Sequence, residues 1–102
     1  MRYLFLLNPT AGKRDCTAEL APAIQAAAQR AGIPPEKRKV VVTQYAGHAR
    51  ELAAEAAHTA QADGEPVRIW TAGGDGTFNE ALTGAQGCGL AAVGCLPFGS
   101  GN

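Results

Sequence analysis

Apolar and polar residues fall along this chain in blocks, and the blocks alternate between two periods. Leu4 to Leu7 is continuously apolar, as in a strand buried on both faces of a parallel sheet. An Ala-rich segment follows, in which Leu20, Ile24, Ala27 and Ala31 recur at spacings of four and three and define one helical stripe. Pro22 would forfeit a backbone hydrogen bond unless it lay in the first turn, so this helix is expected to begin near Leu20 rather than Thr17. Gly32 and Pro34-Pro35 end it. Val40-Val41-Val42 is a β-branched run and predicts a second strand. Leu52, Ala53, Ala56 and Ala60 predict a second helix, closed by Gly64. A third strand is expected over residues 67–72, a short helix over about 77–83, and a fourth strand over 90–95.

The resulting order is β-α-β-α-β-α-β. Strands that alternate with helices imply a parallel sheet joined by right-handed crossovers, a three-layer Rossmann-like α/β fold. The 102 residues suggest one domain, large enough for its own core. No internal repeat or linker interrupts it.

Glycine-bearing turns follow most of the predicted strands. "NPTAG" follows the first, "GGDGT" the third, and "PFGSGN" the fourth, while "TQYAG" follows the second. In an open parallel sheet these turns converge at the carboxyl ends of the strands, where ligands bind. Glycines let backbone N–H groups approach an anion, and a following helix adds the positive end of its dipole. Gly73, Gly74 and Gly76 would form such a cradle, with Thr77 capping the next helix or bonding a phosphate. Asp75 would repel a phosphate unless a cation or a donor hydroxyl stood between them. It therefore points to a Mg²⁺-bound nucleotide or to proton acceptance. Two standard nucleotide motifs fail. A Walker A loop would need glycine at Leu7 and a hydroxyl at Arg14, and the dinucleotide fingerprint would need a small residue at Asn79. The residues alone leave a phosphate site and a tight structural turn both open.

Composition narrows the function classes. Nine basic residues balance nine acidic ones, which argues against a nucleic-acid binder. The run Lys37-Arg38-Lys39 reads as a solvated strand entry. Three cysteines, Cys16, Cys88 and Cys95, with no CxxC pair, fit reduced thiols and a cytoplasmic setting. His48 and His58 lack companions for a zinc site. No apolar run approaches the length of a membrane span. The closing "LPFGSGN" reads as half of a loop, and the sequence is expected to be part of a longer protein.

Four motifs, in order, resemble the diacylglycerol kinase family, which includes sphingosine and ceramide kinases and bacterial lipid kinases. They are Asn8-Pro9-Thr10-Ala11-Gly12, Thr43 with Gly47-His48-Ala49, Gly73-Gly74-Asp75-Gly76-Thr77-Phe78-Asn79-Glu80, and Leu96-Pro97-Phe98-Gly99-Ser100-Gly101-Asn102. The resemblance covers essentially the whole chain. "GGDGT" alone is less specific, since NAD kinases and 6-phosphofructokinases share related versions.

The resemblance implies that residues 1–102 are the nucleotide-binding N-terminal domain of a two-domain lipid kinase. Such a kinase transfers the γ-phosphate of ATP, with Mg²⁺, to a lipid hydroxyl. It implies that Asn8, Pro9, Thr10, Ala11 and Gly12 contact ATP from the first loop and Thr43 from the second. Gly73, Gly74, Asp75, Gly76, Thr77, Phe78 and Asn79 would hold the phosphates, and Ser100 would stand where the family usually has threonine. A second, β-rich domain outside this chain would supply the acceptor site, a general base and a structural Mg²⁺ site, so residues 1–102 alone should be inactive. The intact protein is expected to be a cytoplasmic homo-oligomer with peripheral contact at the inner membrane face.

Asp75 is the candidate catalytic side chain. His48 is expected to start a helix and pack on the sheet, Glu80 to be a helix-start charge favoured by the dipole, and Lys13 to be an ordinary exposed loop lysine. Trp70 is expected in the core, and the cysteines to be inert. Two other functions fit the same loops: an NAD kinase-like phosphotransferase and a non-catalytic nucleotide-sensing module. A plain structural domain would bind no ATP and gain no melting temperature from it.

Overall fold

The computed structural model describes residues 1–9 and 17–96. Four strands form one parallel sheet: β1 (Arg2–Leu7), β2 (Arg38–Val42), β3 (Val67–Ala72) and β4 (Ala91–Cys95), in the order β2-β1-β3-β4. The helices between them are α1 (Thr17–Arg30), α2 (His48–Asp63) and α3 (Gly74–Gly84). A single 3₁₀ turn, Pro35–Lys37, leads into β2.

The strand order explains how the helices are placed. The chain steps one way from β1 to β2, then back over β1 to β3 and onward to β4. With every crossover of one hand, the helix of the first step must lie on the opposite face from those of the next two. The packing agrees. Leu4 and Leu6 of β1, with Val67 and Ile69 of β3, pack against α2 and α3. Phe5 and Leu7, with Ala72, pack against Ile24 of α1. Both faces of β1 are therefore covered, which is why Leu4, Phe5, Leu6 and Leu7 can all be apolar and all be buried.

α2 turns Ala49, Ala53, Ala57 and Ala60 into the core. These small side chains let a second backbone come close. Gly84, the last residue of α3, lies against this helix: a Cβ there would collide with the carbonyl of Arg50 and stand 3.0 Å from Ala53 Cβ. α2 ends as expected at Gly64, whose left-handed φ of 70° closes the helix through its N–H to the carbonyl of Ala60.

Three expectations are corrected. α1 begins at Thr17, not near Leu20, and runs through Pro22. Proline's own φ is helical, so it removes one bond to the preceding turn without ending the helix at this point. The buried stripe of α1 also differs: Ile24 and Ala28 are buried and Leu20 and Ala21 half-buried, while Ala27 and Ala31 are exposed. The helix faces the sheet along its i, i+4 row. Finally, α3 begins at Gly74 rather than about Thr77, so most of the "GGDGT" sequence is helix, not loop.

Trp70 is half-buried on the α1 face of the sheet, where its ring occupies space left by Gly94 on β4. A Cβ on Gly94 would stand 2.7 Å from that ring. Arg68 lies over the same ring, 6.0 Å from its centroid.

At the opposite edge from the glycine turns, charge ties the strand starts together. The Glu65 carboxylate meets Lys37 Nζ at 2.8 Å, the Met1 amine at 3.1 Å and Arg2 Nε at 3.2 Å. Arg38 is held by Gln25 Oε1 and the carbonyl of Ile33. The basic run is thus the entry of β2, with two of its three cations paired at the strand start.

Candidate functional site

The four strands end nearly in step. Leu7 is in register with both Val42 and Ala72, and Thr71 with Cys95. The sheet ladder continues one residue past each end: Asn8 N–H donates to Ala72, Thr43 N–H to Leu7, and Leu96 N–H to Thr71. The first residues of the loops after β1, β2 and β4 are therefore tied into the sheet. The chain departs in opposite directions from β1 and β3, so the switch point of this sheet lies between them, where a crevice is expected.

A cleft of about 380 Å³ opens there. Its walls include Asn8 and Pro9 after β1, Thr43 through Ala46 after β2, and Gly73, Gly76, Thr77 and Glu80 at α3. One local arrangement sets its floor. Asn8 Nδ2 donates to Thr77 Oγ1 at 3.0 Å, and Thr77 Oγ1 donates to the carbonyl of Gly73 at 3.3 Å. Gly73 must lack a side chain for this to form, because a Cβ would sit 2.6 Å from both Asn8 Cβ and Thr77 Oγ1. Gly74, at φ 79°, then turns the chain into α3.

Thr77 is consequently neither helix cap nor free hydroxyl. It is the fourth residue of α3 and bonds back to the carbonyl four residues earlier. The N-cap of α3 is Gly73, which has no side chain to cap it, at the end that bears the positive pole of the dipole.

The sequence-predicted residues divide accordingly. Asn8, Pro9, Thr43, Gly73, Gly76 and Thr77 line the cleft. Thr43 is buried, its hydroxyl 3.3 Å from the carbonyl of Leu7. Asp75 is exposed in the first turn of α3, and Asn79 is exposed one turn further along. Neither lines the cleft; Asn79 faces a shallow depression beside Leu82 and Val93. Gly74 and the half-buried Phe78 also lie outside the lining. Thr10, Ala11, Gly12, Lys13 and Ser100 lie outside the described residues.

Two features of the site were missed. Glu80 is not a helix-start charge of α3. It is the seventh residue of that helix, and its carboxylate accepts the N–H of Gly47, the residue that caps α2, at 3.2 Å. The charge favours a dipole, but that of the neighbouring helix. Gly76, Thr77 and Glu80 share one face of α3 by their spacing, and Asp75 and Asn79 share another. That spacing would have revealed Glu80 had the helix been started at Gly74.

The second missed feature is Tyr45. His48 starts α2 as expected but packs on Tyr45 rather than on the sheet: their rings stack at 4.4 Å with 19° between planes. His48 Nδ1 accepts the N–H of Gln44 at 2.9 Å. The Tyr45 hydroxyl donates to Glu51 at 2.6 Å, and that bond, with lesser help from burial and the nearby charge, raises the phenol above its ordinary pKa.

Fold and site together define a parallel α/β domain with a cleft at its switch point, walled by a glycine turn and a helix start. The chain matches the diacylglycerol kinase catalytic domain over residues 2–102, and it belongs to that family. Membership implies a kinase-like catalytic domain of the ATP-using phosphotransferase kind. Among individually curated proteins, none matches the chain significantly. Among the described residues, no helix is long and apolar enough to cross a membrane.

Proposed function

We propose that this chain is the nucleotide-binding part of a lipid kinase, which moves the γ-phosphate of ATP to the hydroxyl of a diacylglycerol-like lipid. The observation that carries the reading is the junction of Asn8, Gly73 and Thr77 at the floor of a cleft that Thr43 also lines, in a chain of this family.

Phosphoryl transfer asks for in-line positioning and stabilisation of charge more than for covalent chemistry. The start of α3 suits an anion: its N-cap is a glycine, over which a ligand can approach the backbone, and the dipole favours negative charge. With Thr77 Oγ1 occupied by Gly73 and Asn8, phosphate contacts in this reading fall to the backbone of residues 73–77. Asn8 and Thr43 fix the starts of the first two loops, and Thr10, Ala11 and Gly12, next in sequence in the first, would contact the nucleotide. Ser100 would add a hydroxyl from the loop after β4.

Among the described residues, no group of three or more His, Cys, Asp or Glu side chains could cage a metal ion. Mg²⁺ bound on a nucleotide needs no cage, because phosphate oxygens and water complete its shell beside one or two carboxylates. Asp75, exposed in the first turn of α3 and outside the cleft lining, would have to supply such a carboxylate from beyond the cleft wall, where the ion would neutralise phosphate charge. Asp75 organises that geometry or receives the acceptor's proton. As the lipid oxygen bonds to the γ-phosphorus, the bond to the β-phosphate oxygen breaks and ADP departs. The acceptor pocket and a further base belong, in this reading, to a β-rich domain beyond residue 102.

The test uses the full-length protein with Mg²⁺, ATP labelled on the γ-phosphate, NAD and a total lipid extract, followed by partition. Label in the organic phase is the expected result. Label in NADP would move the protein to the NAD-kinase chemistry that shares the "GGDGT" sequence, and no transfer alongside nucleotide binding would leave a sensing module.

A further inference from the structure

Tyr45 is 54% exposed, yet its position is fixed from several sides. Its hydroxyl is held by Glu51 at 2.6 Å, and one ring face is stacked on His48. His48 is itself fixed through Nδ1 by the Gln44 N–H, and its own N–H donates to the Tyr45 carbonyl at 3.1 Å. Tyr45 lines the cleft, and His48, which does not, covers one face of its ring and leaves the other free of that stack. An exposed aromatic that contributes little to the core, held flat beside a cleft, is a preorganised stacking surface: the entropy of ordering it is already spent before a ligand arrives.

We infer that Tyr45, backed by His48, is the platform on which the purine base of the nucleotide stacks. The inference rests on the nucleotide reading above. The occupant is a flat heteroaromatic ring rather than an acyl chain because the cleft around Tyr45 includes the polar side chains of Gln44 and Glu80, which an alkyl chain would strip of water without bonding to them. A cleft of about 380 Å³ is of the size that holds a small-molecule ligand. Tyr45 and the start of α3 line the same cleft, so one ligand with a base at one end and phosphates at the other can engage both.

The test is a titration of the full-length protein with Mg²⁺ and, separately, ATP, UTP and inorganic tripolyphosphate. Wild-type protein should bind ATP more tightly than UTP or tripolyphosphate, since a purine stacks over more area. Tyr45→Ala should weaken ATP about 5- to 150-fold, the range for loss of one base–aromatic stack, while tripolyphosphate changes by less than about twofold. Tyr45→Phe, which keeps the ring and drops the Glu51 bond, should stay within about threefold of wild type for ATP. Equal losses for ATP and tripolyphosphate in Tyr45→Ala, or an unchanged ATP affinity, would overturn the platform while leaving phosphate binding intact. If wild-type protein bound neither ligand, the nucleotide reading and this inference would fall together.

Discussion

The side-chain amide of Asn8 donates to the hydroxyl of Thr77 at 3.0 Å, across 69 residues of sequence. It joins the last backbone position ordered by β1 to the first turn of α3, and so holds the two loops at the sheet's switch point at one separation. The bond is partly buried, so removing one partner leaves the other short of a hydrogen bond. Asn8→Ala should cost about 1–2 kcal/mol of folding stability in urea unfolding. It should also weaken ATP binding in calorimetry by more than a surface alanine substitution elsewhere. A variant with wild-type stability and affinity would show that the link is incidental.

Gly73 and Gly76 separate two reasons for glycine that the sequence alone cannot. At Gly73 an added Cβ collides with Asn8 and Thr77, so Gly73→Ala should destabilise by about 1–3 kcal/mol, the usual cost of overpacking. At Gly76 a Cβ meets nothing within 4 Å and the backbone is not left-handed. Gly76→Ala should therefore raise stability by about 0.5–1 kcal/mol, the helix-interior preference for alanine. Gly76 nevertheless lines the cleft. If its bareness serves a phosphate, the same variant should bind ATP at least about tenfold more weakly while melting at a higher temperature. A stabilised variant with intact affinity would assign "GGDGT" to folding alone.

The glycine sequence shows where reading from sequence succeeded and where it stopped. The strands were legible because each is a short apolar run bounded by turn residues, and β3 was placed at both ends. The convergence of the loops followed from parallel strands ending in step. The start of α3 was not legible, because glycine signals a loop by propensity, while the contacts that make Gly73 and Gly74 a helix entry come from Asn8, far away in sequence. Glu80 was misassigned for the same reason: its partner Gly47 lies 33 residues away. Tyr45 carried a weak local signal, an aromatic in a polar turn three residues before His48, but stacking depends on how the turn closes.

Asp75 tests the proposed chemistry apart from the fold. It is exposed in the first turn of α3, where, among the described residues, it contributes its charge near the helix start. Asp75→Asn should change stability by no more than about 1 kcal/mol, the usual range for such a charge. Phosphoryl transfer by the full-length protein should fall about a hundredfold or more, the lower range for loss of a positioned acid–base group. Retained turnover would remove Asp75 from the mechanism and leave the backbone of the turn as the functional part.

Glu65 lies at the far edge of the sheet and predicts an acid-dependent loss of stability unconnected with the site. Its hydrogen bond to Lys37, then that to the Met1 amine, lower its pKa from the ordinary 4.5 to about 2. The folded protein therefore holds this carboxylate charged at pH values where the unfolded chain has taken up a proton. The stabilisation it gives is full above pH 4.5 and is lost as the pH falls toward 2. Because the carboxylate remains partly exposed, salt should reduce the effect. Urea midpoints should fall more steeply over this interval for wild-type protein than for Glu65→Gln, and the two should converge at its acid end. Parallel curves would mean that the Lys37–Glu65 contact adds nothing in solution. Nucleotide binding at neutral pH should be the same in both proteins, since Glu65 stands at the start of β3 and the cleft lies beyond its end.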